Sequence, residues 1–170
     1  MILGMSLSAF TWAHVVLSLA GIISGAVVLF GMLAAAPPAG WTTFFLVTTA
    51  LTSVTGFLFP FGAFGPSHVV GAISLGALGA ASFAIYARQL AKSWRWIYVA
   101  SALAALYLNV FVGIVQAFRK LPFLQVLAPT QSEPPFLAAQ VLALAIFIAL
   151  GILSVKRFHP ERKASALGSA

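Results

Sequence analysis

The chain has 170 residues, of which 62% are hydrophobic and only 6% are charged, whereas an ordinary soluble domain has about 25% charged residues. Residues 1–87 contain no Lys, Arg, Asp or Glu, which excludes a water-soluble globular fold and a soluble enzyme. The sequence therefore predicts an all-α, polytopic integral membrane protein. Its continuous apolar runs favour transmembrane helices over the alternating strands of a membrane barrel.

The remaining composition narrows the chemistry. The chain has no cysteine, which excludes disulfides, thiolate metal sites and iron–sulfur clusters. Because Glu133 and Glu161 are the only acidic residues, paired acid–base catalysis and carboxylate proton relays have almost no groups to use. We predict no catalytic constellation and no metal site. The formal charge of +7 is interpreted as helix anchoring at anionic lipid rather than as nucleic-acid binding.

Five apolar stretches are long enough to cross a hydrocarbon core of about 30 Å, which needs about 20 helical residues. Breaks rich in proline and glycine at residues 37–40 and 60–66 divide the uncharged region, and basic residues bound the later stretches. The predicted result is a single five-span membrane domain with a basic cytoplasmic tail over 156–170. The spans are 9–35, 41–59, 67–87, 96–118 and 135–155.

Lys and Arg are distributed unequally between the two sides of this predicted bundle. Arg119 and Lys120 lie on one side, and the other seven basic residues lie on the opposite side. Because positively charged loops stay in the cytoplasm, the N-terminus is predicted outside and the C-terminus inside. The seven residues on the cytoplasmic side are Arg88, Lys92, Arg95, Lys156, Arg157, Arg162 and Lys163.

Polar residues of the predicted spans fall mainly in the outer half of the membrane. Asn109 and Gln116 are seven positions apart and share a helix face, and buried amides need hydrogen-bond partners in hydrocarbon. We therefore predict a polar pocket that opens to the outer face; unrelated helix–helix hydrogen bonds are the alternative. Hydroxyls in such helices also commonly bond their own i−4 carbonyl. The candidate ligand-binding residues are Thr52, Thr55, Asn109, Gln116 and Gln140.

His14 and His68 both lie toward the outer ends of predicted helices. Two histidines on different helices are the minimum for a six-coordinate b-type haem, and glycines at 21, 25 and 71 would give it room. We therefore consider His14 and His68 as candidate haem ligands. The alternative is that each is a polar anchor at the interface, with His68 in the first turn of its helix.

The loop over residues 119–135 is too apolar in its first half for a simple solvated connection. We expect an interfacial segment on the outer surface, either as a lid over the polar pocket or as an amphipathic connector to a helix that begins at proline. Glu133 is the only acid on that side, and pairing with Arg119 or Lys120 is expected.

Three segments carry a resemblance to a known group of proteins. They are residues 48–57 with Pro60, residues 66–68 with Gly71, and residues 128–136. Together they resemble a family of small hypothetical bacterial inner-membrane proteins with about five transmembrane helices. The resemblance implies a multi-pass protein of the bacterial inner membrane, and it assigns no functional residue.

Three functional classes follow from the sequence. The first is a non-catalytic accessory subunit, or a small-solute or lipid-binding module, with a polar site in its outer half. The second is an electron-transfer protein with b-type haem on His14 and His68. The third is a small permease with the hydroxyls of the second span along its path, although the scarcity of acids disfavours cation coupling. The expected partners are the lipid bilayer and either a second copy or another membrane protein.

Overall fold

The computed structural model describes residues 2–36, 39–60 and 65–159. Within these ranges the chain is helical, and Ile2 and Met5 form an isolated bridge. The prolines at 37 and 38, residues 61–64, and Arg162 and Lys163 of the predicted tail lie outside the described residues. The helices are α1 (Leu7–Leu33), α2 (Ala39–Gly56), α3 (Pro66–Ser82, continued by a π-helical turn Phe83–Ala87), α4 (Trp94–Lys120), α5 (Pro122–Leu127) and α6 (Pro134–Arg157).

Four of these helices are long and apolar enough to cross a membrane: α1, α3 with its π-helical turn, α4 and α6. The prediction of a polytopic helical membrane protein is confirmed to this extent. The helix of the second predicted span, α2, is not one of the four. It has 18 residues, seven of which are Thr or Ser, and these hydroxyl side chains lower its mean hydropathy.

Helix α4 is the central element of the bundle, since it packs against α1, α3 and α6. Helix α2 packs against α1 and α3, so that the first four long helices surround a shared core, and α6 lies outside them against α4 and α1. The core includes Val28 of α1, Phe45 of α2 and Tyr98 of α4, all at most 1% exposed. In contrast, α6 is largely exposed and presents apolar side chains along most of its surface.

Two glycines of α1 allow the close approach of α2 and α4. A Cβ atom at Gly25 would lie 2.5 Å from Leu106 Cδ1 and 2.8 Å from Phe45 Cε2. A Cβ atom at Gly21 would lie 2.9 Å from both Asn109 Nδ2 and Thr49 Oγ1. Because any side chain at these positions would collide with the neighbouring helices, small residues are required there.

The connection from α4 to α6 contains a short helix that the sequence analysis predicted only as an interfacial segment. In α5, Phe123 and Val126 expose 66% and 81% of their surface, and such exposed apolar groups suit a position at the membrane interface. Ala128 anchors the segment by packing with Phe118 and Phe136 at the adjoining ends of α4 and α6. The segment therefore covers this end of the α4–α6 pair.

Candidate functional site

His14 is held by a hydrogen bond between α1 and the end of α2. Its Nδ1 lies 2.8 Å from Thr55 Oγ1, and Thr55 in turn donates its hydroxyl proton to the Leu51 carbonyl at 2.7 Å. The Thr55 oxygen must therefore accept, so that His14 Nδ1 donates and the neutral ring keeps its lone pair on Nε2. The half-buried ring packs edge-on against Phe59, with the ring centroids 5.2 Å apart.

His68 has a different role at the start of α3. Its Nδ1 accepts a hydrogen bond from the Gly65 backbone N–H at 3.1 Å, which is one half of a capping box around the first turn. Its ring packs against Phe57, with the centroids 5.6 Å apart. This contact agrees with the alternative that His68 serves the helix start.

The two histidines do not fit the axial positions of a b-type haem in this arrangement. A neutral histidine that ligates through Nε2 carries its proton on Nδ1, whereas Nδ1 of His68 is an acceptor. The expected room is also filled by protein: Gly71 faces the Phe57 ring, where a Cβ atom would lie 3.0 Å from Cε2. Gly21 and Gly25 are likewise packed against side chains of α2 and α4.

The hydroxyls of α2 mostly bond the backbone of their own helix. Thr48, Thr52 and Ser53 donate to carbonyls four residues earlier at 2.7, 2.9 and 3.0 Å, as Thr55 also does. The Ser53 Oγ also lies 3.1 Å from Ser74 Oγ of α3, within hydrogen-bond distance. Of the two hydroxyls predicted to bind a ligand, Thr52 is therefore engaged within its helix and Thr55 supports His14.

Asn109 lies in a small polar cluster where α1, α2 and α4 meet. It is 8% exposed, and its Nδ2 donates to the Ser18 carbonyl of α1 at 3.4 Å. The Thr49 hydroxyl faces the same point from α2, as the distances around Gly21 show. This cluster lies near the middle of all three helices, which is deeper than the outer pocket that the sequence predicted.

The two glutamines occupy separate places. Gln140 of α6 is 8% exposed, and its Nε2 donates to the Phe111 carbonyl of α4 at 3.3 Å. Gln116 is exposed on the bundle surface and does not join Asn109, although both lie on one face of α4. The predicted polar residues thus form a histidine–threonine pair and two separate interhelical amide bonds.

The sequence predicts the basic residues at the other end of the bundle only as membrane anchors. In the structure one of them, Arg95, makes a specific contact. The Arg95 guanidinium donates to the Val155 and Phe158 carbonyls at 2.7 and 2.6 Å, and it thereby caps the C-terminus of α6. Lys156 lies at the end of an apolar groove between α4 and α6. In the sequence Arg95 is a basic residue next to a helix end, but the sequence does not indicate which backbone carbonyls it contacts.

No protein-family model, curated protein or solved structure is similar to this chain. Over the ranges that the structure describes, no three His, Cys, Asp or Glu side chains are grouped so as to hold a metal ion.

Proposed function

We propose that this protein is a non-catalytic accessory module of the bacterial inner membrane, with five spans and an outside N-terminus, which acts by associating with another membrane-spanning chain. One observation carries the proposal: three polar side chains on different parts of the bundle join neighbouring helices. Asn109, Gln140 and Arg95 each donate to backbone carbonyls of a neighbouring helix. Such bonds satisfy polar groups in hydrocarbon, which supports a packed scaffold rather than a transport path.

The contacts of α2 support five spans. At one end of the helix Thr55 bonds His14 near the start of α1, and at the other end Thr43 bonds Tyr86 in the π-helical turn after α3 at 2.7 Å. Helix α2 therefore runs alongside two helices that can cross the membrane. Its intrahelical hydroxyl bonds remove much of the cost of placing Thr and Ser in lipid.

The surface of α3 offers a contact for a partner helix. Gly76 and Gly79 are exposed, and a Cβ atom at either position would meet no atom within 4 Å beyond its own stretch of helix backbone. Small exposed residues allow another helix to approach closely in a membrane. We assign the polar site of the outer half to the His14–Thr55 pair. Nδ1 of His14 is used by Thr55, and Nε2 can accept a hydrogen bond from a ligand or partner.

The test is chemical cross-linking in native membranes, followed by purification in mild detergent and a mass measurement. The wild-type chain is expected to give a cross-linked complex with a second copy or another membrane protein, and Gly76→Leu with Gly79→Leu is expected to reduce it several-fold. Ala145→Leu places a single leucine at an exposed position of α6 and is expected to leave the complex intact. A chain that is monomeric in membranes and purifies without a partner would contradict the accessory role.

A further inference from the structure

A groove between α4 and α6 combines an apolar wall with a single cationic end. Its volume is about 350 Å³, enough for on the order of ten groups of the size of a water molecule. Ala100 of α4 forms one wall, above the buried Val99, and Ile148 and Ile152 of α6 form the other. Among the residues that the structure describes, Lys156 in the last turn of α6 is the one charged residue that lines the groove.

The groove lies at the end of the bundle that carries most of the described positive charge. Arg95 joins the first turn of α4 to the last turn of α6 at this end through its bonds to the Val155 and Phe158 carbonyls. The Nη1 group of Arg95 thus bonds backbone oxygens, and this contact holds in place the segment that bears Lys156. The Lys156 side chain is exposed at the surface.

Lys156 has no carboxylate neighbour in the part of the chain that the structure describes. There the only acidic residue is Glu133, which precedes α6 at its opposite end, about 35 Å away along the helix. The Glu133 carboxylate is also engaged by Thr130 and Ser132. A lysine at a membrane boundary with no carboxylate beside it among the described residues is complementary to the anionic phosphate of a lipid.

We propose that this groove binds one anionic phospholipid, with an acyl chain between α4 and α6 and the headgroup phosphate at Lys156. The apolar walls pack against the acyl chain, and the positive charge of Lys156 favours anionic over zwitterionic headgroups. Free inorganic phosphate lacks the chain and is not a ligand. The site is separate from the α3 surface of the accessory proposal, so either can fail without the other.

The experiment is a lipid titration of the full-length protein in mild detergent, followed by native mass spectrometry. The probes are phosphatidylglycerol, phosphatidylcholine with the same acyl chains, and inorganic phosphate. We expect one phosphatidylglycerol adduct at the lowest lipid concentrations, weaker phosphatidylcholine binding and no effect of phosphate. Loss of one lysine near a membrane surface corresponds to about fivefold in affinity, so Lys156→Gln should weaken phosphatidylglycerol binding about fivefold and leave phosphatidylcholine binding unchanged.

Three further variants separate the effect of the lysine charge from the effect of the groove. Lys120→Gln removes a charge at the opposite end of α4 and should not change the titration. Ala100→Phe fills the groove from an exposed position and should weaken both lipids, whereas Ala72→Phe, at an exposed position of α3, should weaken neither. Thermal unfolding of each variant checks that the bundle remains intact. Equal phosphatidylglycerol affinity in wild type and Lys156→Gln, or equal losses in Lys156→Gln and Lys120→Gln, would overturn the proposal.

Discussion

At the scale of single residues, four helical glycines form two pairs with different surroundings. Gly21 and Gly25 lie where a Cβ atom would approach side chains of α2 and α4 to less than 3 Å. At Gly76 and Gly79 a Cβ atom would meet no atom within 4 Å beyond its own stretch of helix backbone. Since all four occur inside helices, the backbone preference for alanine over glycine is the same for all of them. The difference in stability between alanine substitutions at the packed and at the exposed glycines therefore measures the effect of helix packing.

Gly25→Ala is therefore expected to destabilise the bundle, because the new methyl group collides with Leu106 and with the Phe45 ring. Overpacking of this kind costs about 1–3 kcal/mol. The matched control Gly76→Ala should be neutral or more stable by up to about 1 kcal/mol. Unfolding in mixed micelles at increasing SDS concentration measures both changes. A Gly25→Ala variant as stable as Gly76→Ala would show that α1 does not pack this closely against α2 and α4.

At the scale of elements, the connection before α6 is organised around Glu133. Its Oε1 accepts from the Thr130 N–H at 3.1 Å and from the Thr130 hydroxyl at 2.8 Å, and its Oε2 accepts from the Ser132 N–H at 3.0 Å. The pairing with Arg119 or Lys120 that the sequence led us to expect is replaced by these local bonds. Through these local bonds the Glu133 carboxylate satisfies backbone N–H donors just ahead of α6.

These bonds make the connection sensitive to acid. Desolvation raises the pKa of Glu133, but the hydrogen bonds from Thr130 and Ser132 favour the charged form more strongly, and the net pKa is lowered from 4.5. A lowered folded-state pKa means that the stabilisation is present above the ordinary pKa and is lost as the pH falls through the folded value. We expect the Thr130 and Ser132 amide signals in NMR spectra of the micellar protein to titrate with a midpoint below 4.5. Glu133→Gln should abolish this titration, and a midpoint at or above 4.5 would contradict the bonding.

At the scale of the whole molecule, the order of helices could be predicted from the sequence because prolines, glycines and basic residues interrupt otherwise continuous apolar runs. The predicted spans 96–118 and 135–155 correspond to α4 and α6 within two residues at each end. The candidate site was less predictable. Helical periodicity placed Asn109 and Gln116 on one face, but it could not show how far the neighbouring helices cover that face, and only Asn109 is buried. Periodicity also gave no account of which backbone carbonyl each polar side chain reaches.

The number of crossings depends on α2, because its hydroxyls lower its hydropathy while its contacts extend from His14 to Tyr86. If α2 crosses, the residues before and after it lie on opposite sides of the membrane. The chain has no cysteine, so single cysteines introduced at Ala36 and Leu58 can be labelled with a membrane-impermeant maleimide. We expect Leu58→Cys to react in intact spheroplasts and Ala36→Cys to react only after permeabilisation.

Cysteines at two exposed positions on either side of α4 calibrate the two sides of the membrane. Val126→Cys on α5 should react from outside, and Lys92→Cys, before α4, only after permeabilisation. If Lys92→Cys and Ala36→Cys react from outside, and Val126→Cys and Leu58→Cys react only after permeabilisation, the protein has five spans in the inverted orientation. Labelling of Ala36→Cys and Leu58→Cys from the same side would instead place α2 as a helix that enters the bundle without crossing it. In that case its intrahelical hydroxyl bonds and its packing against α1 and α3 would serve a re-entrant segment, which is tolerated at membrane depth only where protein surrounds it.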